Sequence, residues 1–562
     1  DMKKRLLSLA IVAVIATSCL GAVACGKTKI EDDSGDKTVL YVTNYNGGFG
    51  DKWIAEAERR FEEKYAKESF ETGKTGVDIR VSNEHDGGDA YFSKVEAATS
   101  DVFFIESVDY YEWASNGKLL DITDVVNDSS SGESIYSKMN KEQREYYNYN
   151  NTGKYYAIPH HDHQAGLVYD VDLFEEEGLF FAKNGAPSEK EYTGSVKFTG
   201  GTERSAGPDG VYKTSDDGLP ATYEEFYALC DYMAGKKDAE TDIVPLIWSG
   251  TNRGDYMDWF LSELAADYEG KEQLEINYTF DGTAKNLISI DKSGNITKLD
   301  DTEITSSTGY KIYQSAGRYY ALEFLDKIVD TDGWNAENNF GTLDQLTAQY
   351  QYLASKDGIK TQGGKTVRYA FLMDGCWWEN EASKSFDTLV DTKGNAYSKT
   401  SRNFAFMPLP KATSDKIGEG VTIATTDVTD AFIRASIKPN KIKVAKAFLK
   451  FCYEDAQLIS FNTITGLPAS VDYELSDTEY DALSNYGQSL YDVRKSVVAP
   501  YSQNAIYLNN YSALRLCKTF SVGGEKAVDS LKGAKTAKDY FRSLCGNKTQ
   551  NSWEQAYSKY FD

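Results

Sequence analysis

The sequence predicts an α/β fold made of two large lobes, and three observations lead to this class. Apolar strand-like runs alternate with amphipathic helix-like runs between positions 38 and 105, which is typical of a doubly wound sheet. About 537 residues follow the expected leader, which is too many for one compact core. Hydrophobic residues make up 41% of the chain, enough to form the cores of two folded lobes.

Three strands and one long helix are predicted in the first lobe. The strands are the apolar run 39–42, the alternating run 77–81 and the continuous apolar run 101–105. Apolar residues recur every four positions from Trp53 to Tyr65, which predicts a helix capped by Asp51. In such sheets ligands bind at the carboxyl ends of the strands, so the loops 44–50 and 106–113 are expected at the binding edge.

A second lobe is expected after the segment 151–182, which looks like a crossing between lobes. Thr222 and Glu225 have the spacing of a capping box and start a helix. Two stretches look like insertions. They are 183–220, rich in Gly, Lys and Ser, and 270–320, whose Asp-Gly and Ser-Gly-Asn turns predict hairpins.

Residues 1–25 have the form of a lipoprotein export signal. A basic segment precedes the uncharged apolar stretch 6–24, which is too short and too often interrupted by Ser and Thr to span a membrane. Cys25 follows small residues as in a bacterial lipobox, so we expect it to be acylated, with 26–37 as a polar tether. Cys19 is the second candidate for acylation, and an ordinary cleaved signal is the alternative.

The charge and the aromatic content narrow the class of partner. A formal net charge of −25 argues against nucleic acid and anionic lipid surfaces as partners. The chain has 40 tyrosines and eight tryptophans, whose faces stack on sugar rings while acids and amides bind the hydroxyls. Tyrosine also suits exposed sheets, so composition alone leaves both interpretations open.

The cysteines beyond the leader predict no metal motif. They are Cys230, Cys376, Cys452, Cys517 and Cys545. None has CxxC spacing and their number is odd, so most are expected to be free core residues, with a Cys517–Cys545 bridge as an alternative.

Several short segments, taken in their order and spacing, carry a family resemblance. In chain order they are the segments 101–104, 117–122, 156–159, 167–170, 374–379, 406–410 and 466–468. With them the chain resembles the bacterial extracellular solute-binding proteins of family 1, the sugar receptors of ABC importers that include maltose-binding protein. The resemblance covers most of 38–562 outside the two insertions.

The resemblance implies a periplasmic-binding-protein-like fold with three inter-lobe crossings and a ligand cleft that closes on binding. It implies an N-terminal lobe of 38–158 plus 411–458 and a C-terminal lobe of 159–410 plus 459–562. The expected ligand is an oligosaccharide and the expected partners are the permease subunits of an importer. We expect a monomer without catalytic activity or a required cofactor, outside the cell and anchored to the cytoplasmic membrane.

The leading ligand-binding candidates lie in the second lobe. Trp377 resembles the stacking tryptophan of the family, and Trp378 and Glu379 would add a second ring and a hydroxyl acceptor. For Trp378 a place in the core is an equal alternative. Tyr256 and Trp259 resemble an aromatic patch of the cleft, with Tyr256 expected to contact ligand and Trp259 expected in the core.

Three histidines cluster in the first crossing segment. On an extended strand His161 and His163 point to one face, and His160 and Asp162 to the other. The family places cleft contacts here, so His161, Asp162 and His163 are candidates, His163 standing where the family has a glutamate. Zinc binding is the weaker alternative, because side chains that alternate between the two faces of a strand do not converge on one metal ion.

The first lobe contributes three further candidates. Glu106 and Asp109 follow a strand's carboxyl end and could bind neighbouring hydroxyls. Phe49 lies in the glycine-rich loop and is the weaker candidate.

One acidic loop is a candidate calcium site. Asp209, Asp216 and Asp217 are interrupted by glycines, as Ca²⁺ loops require, although the spacing is not that of an EF-hand. A plain acidic turn is the alternative.

Other function classes remain open from the sequence. A glycosidase or lyase needs two carboxylates that flank the bond, and 86 acidic residues supply many accidental pairs. No nucleophile elbow, HExxH or P-loop motif is present. Two further alternatives are a surface polysaccharide-binding protein and a receptor of the same fold that binds a peptide or a polyamine.

Overall fold

The computed structural model describes residues 35–85, 87–183, 198–236, 241–419, 427–496, 520–533, 535–546 and 549–561. Within these ranges the chain forms two α/β lobes, each built around a five-stranded sheet. The predicted fold class is confirmed. In the described part of the chain, no helix combines the length and the apolar character needed to cross a membrane.

In chain order, the strands are β1 (Thr38–Tyr45), β2 (Val77–Glu84), β3 (Val102–Glu106), β4 (Ala157–His163), β5 (Ala165–Asp170), β6 (Asp242–Trp248), β7 (Thr283–Ala284), β8 (Ile288–Ile290), β9 (Ile296–Lys298), β10 (Thr302–Glu303), β11 (Ile359–Lys360), β12 (Thr366–Gly375), β13 (Phe404–Met407) and β14 (Asp427–Ile433). The helices are α1 (Lys52–Lys64), α2 (Gly88–Phe92), α3 (Tyr110–Ser115), α4 (Thr123–Asn127), α5 (Ile135–Lys138), α6 (Lys141–Tyr147), α7 (Val171–Glu177), α8 (Tyr223–Gly235), α9 (Arg253–Thr279), α10 (Ala316–Asp330), α11 (Gln345–Ala354), α12 (Trp378–Glu381), α13 (Ser383–Lys393), α14 (Ile442–Cys452), α15 (Asp455–Thr465), α16 (Asp477–Asp481), α17 (Asn485–Ser496), α18 (Ala527–Leu531), α19 (Ala537–Gly546) and α20 (Gln550–Phe561).

The first sheet has the strand order β2-β1-β3-β14-β4. β1 runs parallel to β2 and to β3, with Val42 opposite Val102 in the second pair. β14 comes from far along the chain and runs antiparallel to β3 and β4. The carboxyl ends of β1 and β3 therefore reach one edge of the sheet, where the loops 44–50 and 106–113 are predicted to lie.

The second sheet has the order β11-β12-β5-β13, with β6 also paired to β12. β6 and β12 are parallel, whereas β5 runs antiparallel to its neighbours β12 and β13. β12 is buried along most of its length and ends at Gly375, so the residues that follow it emerge at an edge of this sheet.

The chain passes between the lobes three times. β4 ends at His163 in the first sheet and β5 begins at Ala165 in the second, so Gln164 alone forms the first crossing. The chain returns between β13 and β14. It crosses again between α15, which packs on α1, and α17, which packs on β13. Two first-lobe elements, β4 and α15, thus extend past residues 158 and 458, the predicted ends of the two N-terminal-lobe segments.

The predicted apolar stripe of α1 forms part of the first core. Trp53, Ala57 and Phe61 are buried, and the helix ends at Lys64 with Tyr65 as its C-cap. Asp51 occupies the N-cap position, but its side chain accepts no capping hydrogen bond. The apolar stripe predicted the position of this helix correctly, because the helix packs on the core through its one buried apolar face.

Two second-lobe predictions are modified by the structure. The Thr222 hydroxyl accepts from the Glu225 amide at 3.2 Å, but the Glu225 carboxylate accepts from Ala221 at 2.7 Å, so only half of the capping box forms. In the predicted insertion 270–320, α9 continues to Thr279 before the hairpin β8–β9 and the pair β7–β10. Of the insertion 183–220, residues 184–197 lie outside the described residues.

The described cysteines agree with the sequence prediction. Cys230, Cys376, Cys452 and Cys545 are free thiols. Cys517 lies outside the described residues, so its bridge to Cys545 stays an alternative.

Candidate functional site

The two lobes touch where the glycine-rich loop 46–50 meets the segment after β12. The Asn380 side-chain amide donates to the Gly48 carbonyl at 2.8 Å. A methyl group added to Gly48 would lie 2.1 Å from Cβ of Trp377, so the backbone approaches this side chain as closely as glycine allows. This contact joins the two lobes beside Trp377.

Trp377 lies at the centre of an aromatic cluster that we call the aromatic box: Trp377, Tyr256, Trp259 and His163. The Trp377 ring is 6.1 Å from Tyr256, 5.9 Å from Trp259 and 5.8 Å from His163, between centroids. It folds back over Gly375, where a methyl group would lie 2.2 Å from the ring. Only 7% of Trp377 is exposed, so these contacts bury its side chain almost completely.

Tyr256 and Trp259 both lie on α9, with their rings stacked at 5.4 Å and 27°. Tyr256 is buried against Trp377, whereas Trp259 is half-buried at the rim. We expect Tyr256 to contact ligand and Trp259 to lie in the core. The structure leaves Trp259 partly exposed and buries Tyr256, so the core placement of Trp259 is wrong, while ligand contact by Tyr256 stays a prediction. Helical periodicity could not decide this, because the two positions differ by less than one turn.

Trp378 and Glu379 point away from the aromatic box. Trp378 is fully buried against Tyr352, Phe404 and Tyr486, the core position that the sequence left open as an alternative. The Glu379 carboxylate is buried too, and accepts from the Ser484 hydroxyl at 2.7 Å. Trp378 and Glu379 therefore lie apart from the aromatic box, and ligand contact by either residue stays a prediction.

The first lobe brings Glu106 towards the box. Glu106 ends β3 and is half-buried, with a carboxylate oxygen 3.9 Å from Nδ1 of His163. Asp109 is also half-buried, but its carboxylate accepts from the Glu112 amide at 3.3 Å and caps α3. Glu106 is thus the first-lobe acid with a direct relation to the aromatic box.

Phe49 belongs to the glycine-rich loop 46–50, and its side chain packs in the first-lobe core. It is 1% exposed and packs edge-on against Trp53, His160 and His161. Its burial in the first-lobe core gives it a packing role, and ligand contact by Phe49 stays a prediction.

A bulge in the first sheet sets the directions of the three histidines. The pairing of β4 with β14 shifts register between Thr429 and Asp430, opposite His160. His160 is buried in the first core, 4.6 Å from Trp53 and 4.9 Å from Phe104 between ring centroids.

His161 and His163 lie on one face, as predicted, with ring centroids 5.0 Å apart. His161 Nδ1 is 3.0 Å from the Pro468 carbonyl, and His163 Nε2 is 2.9 Å from the Thr429 hydroxyl. Asp162 accepts from the Ser470 hydroxyl at 2.9 Å. His163 is therefore the histidine that reaches the aromatic box.

Burial keeps the cleft histidines neutral. Desolvation lowers the pKa of His161 to about 3 and that of His163 to about 4. Desolvation is the cause at His163, although the Glu106 carboxylate lies 3.9 Å from its Nδ1.

The neutral His163 predicts a pH dependence of stability. Between pH 6.5 and about 4 the unfolded chain binds a proton at this residue that the folded chain excludes, so its contribution to stability falls as the pH falls. His163→Gln should reduce the slope of the unfolding free energy over this window by about one proton, roughly 1.4 kcal/mol per pH unit. Denaturant unfolding of both proteins at several pH values measures it. Equal slopes would mean that folded His163 takes up the proton and pairs with Glu106.

A buried acid pair that the sequence did not reveal lies behind Trp377. The Gln349 side-chain amide donates to Asp374 at 3.0 Å and to Glu381 at 2.7 Å. Burial, and then the Glu381 charge, raises the pKa of Asp374 well above its ordinary value, and burial raises the pKa of Glu381. Asp374 begins the segment 374–379, which contains Trp377. No sequence pattern predicts that Gln349 lies next to Asp374.

The candidate calcium loop is held by its own carboxylates. Asp216 accepts from the Asp209 amide at 3.0 Å, and Asp217 accepts from the Lys213 amide at 2.9 Å. Within the described ranges no three His, Cys, Asp or Glu side chains are grouped to hold a metal ion, which covers both this loop and the histidines. Calcium binding at this loop stays a prediction.

No protein-family model and no curated protein sequence matches the chain. Among solved structures, the chain is similar to the solute-binding protein RafE in complex with raffinose, at 15% identity and a TM-score of 0.52 over 91% of this chain and 100% of that one. It is also similar to the Thermus thermophilus maltotriose-binding protein bound with maltotriose, at 13% identity and a TM-score of 0.50 over 92% of this chain and 100% of that one. The chain therefore has the two-lobe fold of solute-binding proteins.

Proposed function

We propose that the chain is a receptor that captures an oligosaccharide between its two lobes. The observation that carries this proposal is the aromatic box, which lies where the lobes meet and has Glu106 from the opposite lobe beside it. Flat rings at a cleft wall stack on sugar faces, and a carboxylate accepts hydrogen bonds from hydroxyls. The ligands named for the two similar structures, raffinose and maltotriose, support the same class of solute.

The cellular role belongs to the proposal as well. Cys25, in a leader outside the described residues, would carry the lipid anchor and hold the receptor outside the cell. The loaded, closed form would then be delivered to the permease subunits of an ABC importer. No step of this role requires a chemical reaction by the chain itself.

The acids near the cleft support one alternative solute. Glu106 lies at the aromatic box, and Asp374 and Glu381 lie behind it. Acids beside aromatic rings also suit an organic cation such as a polyamine. The three large rings of Trp377, Tyr256 and Trp259, packed together where the lobes meet, favour the sugar.

A thermal-shift screen tests the class of solute. Neutral oligosaccharides should raise the melting temperature, because a ligand that binds only the folded state stabilises it, by about 2.7 kcal/mol at a concentration 100 times its dissociation constant. Peptides and polyamines serve as comparison panels. Shifts confined to either of these panels would contradict the sugar proposal while leaving the fold unaffected.

A further inference from the structure

The acid pair behind Trp377 lies at the two ends of the short stretch that contains this ring. Asp374 is the last residue but one of β12, and Glu381 is the last residue of α12. Between them lie Trp377 and Asn380, whose side-chain amide donates to the carbonyl of Gly48 in the other lobe. The conformation of this stretch therefore determines the position of the central ring and of the lobe contact.

Gln349 of α11 joins the two ends of the stretch. Its fully buried side-chain amide donates to Asp374 at 3.0 Å and to Glu381 at 2.7 Å. Within the described ranges its Oε1 atom has no hydrogen-bond partner, so the two acids alone set the orientation of the amide. We call these three side chains the acid clamp. Because one nitrogen atom serves both carboxyl groups, movement of either end breaks one of the two hydrogen bonds.

The acid clamp acts on the aromatic box through Asp374. This carboxyl group also accepts from the Gly375 amide at 2.9 Å. Burial raises the pKa of Asp374 and that of Tyr256, and hydrogen bonding by the Trp377 side chain opposes the rise in both. The direction of the Trp377 ring therefore depends on Asp374 as well as on the neighbouring rings.

The acid clamp cannot easily hold two negative charges. Asp374 is buried and Glu381 is half-buried, and neither forms an ion pair with any residue that the structure describes. Two carboxylates around one amide repel each other, so ionisation of one disfavours ionisation of the other. The pair therefore keeps a proton at a pH at which exposed carboxyl groups have lost theirs.

The other titratable groups that face the pair do not change charge near neutral pH. They are Tyr256 of α9, Cys376 and Tyr486 of α17, and burial raises the pKa of each. The neighbouring cleft histidines have lowered pKa values and are already neutral at pH 7. A change in affinity just above pH 7 would therefore report on the acid pair.

We propose that Gln349 positions Trp377 for the solute through the acid clamp, which holds only while Asp374 and Glu381 share a proton. Loss of this proton to solvent leaves two carboxylates around one amide, and their repulsion separates the ends of the stretch and displaces the ring. Solute affinity should therefore fall as the pH rises above neutral. This inference rests on the proposed function and adds control of the same site by protons.

The test measures affinity as a function of pH in the full chain. The probe is the oligosaccharide that gives the largest thermal shift, titrated by calorimetry from about pH 7 to about pH 9.5. Wild type should lose affinity over this range. Gln349→Leu keeps a similar volume but donates no hydrogen bond, so it should bind about fivefold or more weakly than wild type at pH 7.

Glu381→Gln is the variant that separates positioning from simple stability. Its amide oxygen still accepts from Gln349, but the side chain cannot ionise. It should bind as wild type does at pH 7 and keep that affinity on the alkaline side. If Gln349→Leu does not fold, the pH profile of Glu381→Gln decides the test alone.

A buried amide elsewhere in the second lobe provides the matched control. Asn339 is fully buried, and its side chain donates to the Leu246 carbonyl at 3.2 Å. Asn339→Leu should lower the melting temperature but keep the wild-type affinity and pH profile. An alkaline loss in Glu381→Gln equal to that of wild type, or wild-type affinity in a folded Gln349→Leu protein, would overturn the inference and leave the sugar proposal standing. If wild type binds no sugar, the sugar proposal is overturned, and the inference with it.

Discussion

Trp377→Ala should weaken oligosaccharide binding by roughly 1.5–3 kcal/mol, which is about a 10- to 150-fold rise in Kd. Trp377 is the ring that every other member of the aromatic box contacts, and it lies next to Gly48 of the other lobe. Its removal takes away both the stacking surface and part of the lobe contact. Isothermal titration with a sugar that wild type binds measures the loss.

The matching variant is Trp377→Phe, which keeps a flat ring at the same place. It should lose less than half of the free energy that the alanine variant loses, because stacking area remains. Thermal unfolding of both variants shows whether the second lobe is intact, since truncation of a buried tryptophan also reduces stability. Wild-type affinity in a folded Trp377→Ala protein would place the site elsewhere.

Gly48→Ala should hold the lobes apart. The added methyl group would lie 2.1 Å from Cβ of Trp377, a distance that real atoms do not tolerate, so the loop or the lobes must move. Overpacking of this kind costs about 1–3 kcal/mol, and it destabilises the arrangement in which the loop and Trp377 touch. Ligand affinity should therefore fall roughly 5- to 150-fold, since binding requires the closed state.

Small-angle X-ray scattering provides a second measurement for Gly48→Ala. In the presence of ligand the variant should have a larger radius of gyration than wild type. Gly235→Ala is the matched control, because this glycine ends α8 and a methyl group there meets no atom within 4 Å. The control should bind and scatter as wild type does. If Gly48→Ala binds as tightly as wild type, the loop contact is not part of the ligand-bound form.

Local patterns in the sequence predict much of the fold. The stripe of Trp53, Ala57 and Phe61 locates α1, and the apolar run 101–105 locates β3, because each pattern reflects burial of neighbours along the chain. The helical stretch up to Thr279 was not predicted, because the segment 270–320 was expected to form hairpins; the backbone breaks at Gly270 and helix resumes after it. The bulge opposite His160 was not predicted either, because it depends on pairing with β14, far along the chain.

The candidate site could be predicted only in part. Trp377 was recognisable from its segment, and the structure places it between the lobes. The different directions of Trp377 and Trp378 depend on where β12 ends and α12 begins, which adjacent identical residues cannot reveal. The Gln349 bridge between Asp374 and Glu381 joins three elements, so tertiary packing alone creates it.

One calorimetric titration tests whether the chain binds an oligosaccharide without altering it. The full chain is titrated with the oligosaccharide that gives the largest thermal shift, and the sugar is then recovered and analysed by chromatography. We expect a saturable heat with one sugar per chain and recovery of the sugar unchanged. Heat that continues without saturation, together with cleaved sugar products, would contradict it and indicate a glycosidase or lyase.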